Sequence, residues 1–117
     1  MDEIMLITIK RNVGGLTPEN TDFDGELLDH INSVLRILNR YGIGKDKYMA
    51  TTESTWRDFL GEDAEAYSEC KTYVTLKIRY FWDPPTVGSA VTAMQETIKE
   101  LEFNLMIRRE CPDSFEE

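Results

Sequence analysis

Ala66-Tyr-Ser-Glu-Cys-Lys-Thr-Tyr-Val-Thr-Leu-Lys-Ile-Arg-Tyr-Phe-Trp82 is the stretch on which the fold turns. Val74, Leu76, Ile78, Tyr80 and Trp82 alternate with Thr75, Lys77, Arg79 and Phe81, a period of two that suits a strand. Tyr67, Cys70, Val74, Ile78 and Phe81 recur at spacings of three, four, four and three, which suits one face of a helix. The acids Glu62, Asp63, Glu65 and Glu69 fit the first turns of such a helix, whose dipole is positive at that end. Periodicity alone leans toward the strand. Residues 3–12, Glu3-Ile-Met-Leu-Ile-Thr-Ile-Lys-Arg-Asn12, carry the same ambiguity in a shorter apolar run. Two strands here would make the order β-α-β-β-α-β, an α+β ferredoxin-like sandwich. Two helices would make a small all-α, four-helix domain with a long irregular connection at 43–61.

Two other segments read one way only. Val87, Val91, Met94, Ile98, Leu101 and Leu105 fall on one helical face, with Gln95, Glu96, Lys99, Glu100 and Glu102 between them. Asp83-Pro-Pro85 comes before, and two prolines suit the approach to a helix start, so a helix is predicted over 86–107. Leu27, Leu28, Ile31, Val34, Leu35, Leu38 and Tyr41 make a second apolar stripe, closed by Gly42. Thr21, Asp22 or Asp24 is expected to cap it, and Arg36 and Arg40 lie near its negative end. In the irregular stretch, Trp56, Phe59 and Leu60 are expected to pin the chain to the core.

The 117 residues are one domain's worth, 41% hydrophobic and 30% charged, which describes a core-forming chain. Twenty-two acids against thirteen bases leave a net charge of −9, −3 in residues 1–60 and −6 in 61–117. That balance opposes phosphate and argues against sequence-reading of nucleic acid. No apolar run approaches the roughly 20 residues that span a bilayer, and Met1-Asp-Glu3 is acidic where a secretory leader would be basic. Cys70 and Cys111 lack metal-site spacing and read as reduced thiols of a cytosolic protein.

No candidate chemistry outweighs its plainer alternative. His30, beside Asp29 and one turn from Glu26, could share general-base work, but no motif places a nucleophile near it, and a polar-face helix histidine is the commoner case. Glu62, Asp63, Glu65 and Glu69 lack the alternation and turn glycine of a calcium loop. Gly14-Gly15 lacks the later glycine and lysine of a phosphate loop and reads as a turn. Lys45, Lys47 and Arg57, with Tyr48 and Trp56 among them, carry too little positive charge for a nucleic-acid face and read as a surface loop suited to protein contacts. The carboxyl-terminal Arg108-Arg-Glu-Cys-Pro-Asp-Ser-Phe-Glu-Glu117 leaves its helix at Pro112, and its lone Phe115 suits a docking segment. No catalytic, cofactor or metal residues are assigned, and the chain reads as a non-enzyme.

Three runs resemble segments of small prophage proteins from Gram-positive hosts: Thr21-Asp-Phe-Asp through Tyr41-Gly-Ile-Gly44, Thr55-Trp-Arg-Asp-Phe-Leu60, and Lys71 through Asp83-Pro-Pro85, the last followed by the helix ending Glu100-Leu-Glu-Phe103. In order and spacing the chain, over residues 3–110, resembles the head–tail connector (adaptor) family of long-tailed bacteriophages. The resemblance implies a mostly helical fold, and so overrides the strand reading of 66–82. It implies a structural virion protein, made in the host cytoplasm and sited at the neck. There a ring of copies, commonly twelve, sits beneath the portal, extends the DNA channel without reading its sequence, and receives stopper or tail proteins. Residues 1–107 then form the connector domain and 108–117 a tail reaching toward the portal. Arg108, Arg109 and Phe115 are the expected portal contacts, and Trp56, Arg57 and Phe59 the expected subunit or stopper contacts. Competing readings are a small acidic phage inhibitor that imitates DNA charge toward a host enzyme, and a tail-completion or terminator protein.

Overall fold

The computed structural model describes residues 2–13, 17, 19–61 and 64–110, the side chains of residues 64, 65 and 108–110 excepted. Five helices follow in order: α1 (Met5–Asn12), α2 (Asp24–Arg40), α3 (Trp56–Leu60), α4 (Ala64–Trp82) and α5 (Gly88–Glu110), with no strand among the described residues. Both ambiguous segments are therefore helical, and the sandwich alternative falls.

The reason lies in the position of α4, which packs against α1, α2 and α3 as well as along α5. Ala66, Cys70, Tyr73, Val74 and Ile78 are buried on it, a helical spacing. Leu76, Tyr80 and Trp82 are half-buried, because neighbours stand on more than one side of the helix. Apolar residues needed around most of a helix erase the 3.6-residue signal and leave a chance alternation. Toward α5 the Tyr73 hydroxyl donates to Glu102 Oε2 at 2.7 Å, and Lys77 Nζ lies 3.6 Å from the same oxygen. Gln95 donates to the Tyr80 hydroxyl one layer further along. These contacts fix α4 and α5 as an antiparallel pair. Met94, Ile98 and Leu105 bury the expected face of α5, whereas Val87 precedes the helix and is exposed.

The amino end of α2 corrects one expectation. Phe23 occupies the cap position, and no side chain caps the first turn. Asp24 instead meets the buried Lys10 of α1 at 2.5 Å, and Lys10 Nζ also donates to the Asn20 carbonyl at 2.7 Å. An ammonium that is 3% accessible needs such partners. At the other end Gly42, with φ 77°, ends the helix as expected.

The stretch expected to be irregular holds α3, opened by a capping box: Asp58 N–H donates to Thr55 Oγ1 and Thr55 N–H to Asp58 Oδ2. Next to it, an antiparallel bridge between Ile4 and Thr55 clasps the chain start to this segment. Met5 N–H donates to the Ser54 carbonyl at 2.9 Å and Trp56 N–H to the Glu3 carbonyl at 3.2 Å.

Candidate interaction surface

Of the three residues expected at a subunit or stopper contact, two belong to the core. Trp56 is fully buried and its indole N–H donates to Thr8 Oγ1 at 3.1 Å. Phe59 is 1% exposed, its ring 6.0 Å from that of Tyr48. Both pin the 43–61 stretch, and neither has surface left to offer in this fold. Arg57 does reach solvent, with Nε 2.7 Å from Asp2 Oδ1. That guanidinium holds the Asp2 carboxyl below the usual carboxylate range. Arg108 and Arg109 lie in the last turn of α5, and Phe115, Cys111 and Gly14-Gly15 lie outside the described residues, as do Glu62 and Asp63. Cys70 is fully buried on α4. Among the described residues no three His, Cys, Asp or Glu side chains are placed to hold a metal ion, and no helix is long and apolar enough to cross a membrane.

What the fold does build is a helix surface whose charge changes sign from end to end. The exposed residues Glu26, Asp29, Ser33, Arg36 and Arg40 follow one another at three, four, three and four along α2, so they form one stripe. Beyond its basic end the chain turns through Gly44 (φ 80°) and Lys47 (φ 61°), leaving Lys45 and Lys47 exposed and Met49 56% exposed. Two asparagines of α2 hold this loop in place. Asn39 Nδ2 donates to the carbonyls of Ile43 and Lys45, both at 3.1 Å, and its Oδ1 accepts from Lys47 N–H. Two turns earlier Asn32 Oδ1 accepts from Ala50 N–H at 2.7 Å. Lys45 N–H also donates to the Phe59 carbonyl at 2.8 Å. Arg36 Nη2 lies 3.3 Å from the Met49 sulfur, so cation and thioether share one patch.

The opposite end of α2 is acidic and aromatic. His30 is half-buried, its ring 4.6 Å from Phe81 and 6.1 Å from Trp82, while Phe23 meets Trp82 edge-on at 5.5 Å. Phe81 continues the buried stripe of α4 one turn past Ile78 and yet is 72% exposed. The exposed Asp22 and Asp29 neighbour Phe23 and His30 in sequence, and Glu26 lies one turn before His30.

A comparison with protein families finds a match to the phage connector protein family over residues 5–112. The chain belongs to the phage connector protein family. Searches of curated proteins and of solved structures each return no match. In this connector protein the matched span takes in all five helices, from Met5 to Glu110. The helical spacing of 66–82 put Phe81 on the apolar face and the strand alternation put it on the other; neither reading singled out Met49, Asn32 or Asn39. Spacing could not reveal that Phe81, though met by the His30 ring of α2, stays 72% exposed. The two asparagines two turns apart were a usable signal, since mid-helix asparagine is a poor helix former that often serves the backbone of a neighbouring segment.

Proposed function

We propose that this connector protein is a structural subunit of the virion neck and not an enzyme. Copies form a ring, commonly of twelve, beneath the portal; the ring extends the DNA channel and receives the stopper or tail proteins. Family membership over residues 5–112 carries the reading. The charge of −9 supports it, because a wall that repels phosphate releases no counterions on contact and lets duplex DNA slide past. In this reading Arg108, Arg109 and Phe115 of the tail meet the portal. Arg57 offers a subunit or stopper contact, with Trp56 and Phe59 setting its position from beneath.

The test mixes the full chain with the portal protein of the same phage and images the product. Portal-bound rings are expected. Removal of residues 108–117 should abolish capture by the portal while costing the helical spectrum no more than the last turn of α5. Undiminished capture by the truncated chain would show that the tail is not the portal contact, and failure of the full chain to bind the portal would overturn the reading as a whole.

A further inference from the structure

Of the thirteen bases, five are paired within the chain among the described residues, and four of those without a carboxylate partner lie together; Arg79 and Lys99, exposed on α4 and α5, stand apart from them. Lys10, Arg11, Arg57, Lys71 and Lys77 each meet a carboxylate within the chain. Arg36, Arg40, Lys45 and Lys47 meet none among the described residues; two lie at the carboxyl end of α2 and two in the loop that follows it, where Met49 lies beside Arg36. At the other end Asp22, Glu26 and Asp29 likewise have no basic partner among the described residues, and they flank in sequence Phe23 and His30, whose rings meet Trp82 and the exposed Phe81. From Glu26 to Arg40 is about 21 Å along the helix axis. We propose that the acidic, aromatic end of α2 in one copy receives the basic end of α2 and the Lys45–Met49 loop of the next copy. The inference rests on the ring reading above and names the two surfaces that would meet.

Three features favour this occupant. Each end carries a net unpaired charge, positive at the basic end even with Asp46 between Lys45 and Lys47, beside a large apolar side chain left in water, and the two ends are opposite in net charge and alike in apolar content. Neither end can pair with its own copy, because like charges would face each other, so the contact is heterologous and propagates from subunit to subunit. The loop is already held by Asn39, Asn32 and the Phe59 carbonyl, so little ordering is required on contact. The helix dipole accounts for acids at the start of α2 and bases at its end. It does not account for Lys45 and Lys47, which lie beyond the helix, or for the exposure of Met49 and Phe81. A DNA backbone would also meet four bases, but this end offers a thioether and no exposed ring on which a base could stack.

Two variants of the full chain test the proposal by sedimentation velocity at low ionic strength. Phe81→Lys blocks the acidic end, and Lys45→Glu with Lys47→Glu blocks the basic end; all three positions are exposed, so the core is spared. The wild type should self-associate, less so at high salt. Each variant alone should associate about tenfold more weakly or worse. Mixing the two variants should restore association, because one intact end of each kind is then present. Self-association of either variant at the wild-type level, or a mixture no better than its components, overturns the proposal. So does a wild type that stays monomeric, an outcome that leaves the connector reading to the portal experiment. If charge reversal at Lys45 and Lys47 abolishes retention of duplex DNA without changing self-association, the basic end serves DNA and the proposal is again overturned.

Discussion

Gly44 shows how one residue positions a surface it does not itself form. Its φ of 80° is open to glycine and costly for other residues, and a Cβ at this position would overlap the edge of the Phe59 ring. The close approach lets Lys45 N–H reach the Phe59 carbonyl, and so sets where Lys45, Lys47 and Met49 emerge. Gly44→Ala is expected to cost about 2–4 kcal/mol of stability, from the left-handed backbone and the overpacked ring together. Urea unfolding checks the figure. A change below half a kcal/mol would mean that the loop shifts freely and is not held by Phe59.

Among the elements, the clasp between α1 and α3 depends on charge as well as on backbone. Glu3 Oε2 accepts from Lys71 Nζ of α4 at 2.9 Å and Glu3 Oε1 from Arg11 at 2.9 Å. The hydrogen bond to Lys71 is the main reason that the Glu3 carboxyl titrates below its ordinary 4.5, and Lys71 is raised in return. A carboxyl depressed in the folded state adds stability in full above its unfolded value and loses it as the pH falls through the folded one. Hydrogen-exchange protection of the Met5 and Trp56 amides should thus hold above pH 4.5 and decline below it. Lys71→Met should flatten that decline, and an unchanged profile in the variant would place the acid sensitivity elsewhere. The elements differ in how far the sequence revealed them. α2 and α5 each expose one side, and their apolar spacing is plain to read. α4, enclosed by its neighbours, gave a periodicity that fits two structures, and only the resemblance to phage connectors decided between them. Trp56 and Phe59 were readable as pins from their aromatic character. Their burial also takes them out of the surface, which no property of the residues themselves could show.

At the scale of the whole molecule, the two tryptophans sit in contrasting places. Trp56 lies at the centre of the clasp with no accessible surface, and Trp82 lies half-buried beside Phe81 at the acidic end of α2. The chain therefore carries two optical reporters of different events. Acrylamide should quench the emission of the dilute protein in two populations, one accessible and one protected. As copies associate, the accessible population should shrink and its emission move to shorter wavelength, while the protected one stays constant until the domain unfolds. An accessible fraction that does not change with concentration would mean that the Trp82 end stays in water in the assembly. Fluorescence can thus separate assembly from folding without any added label.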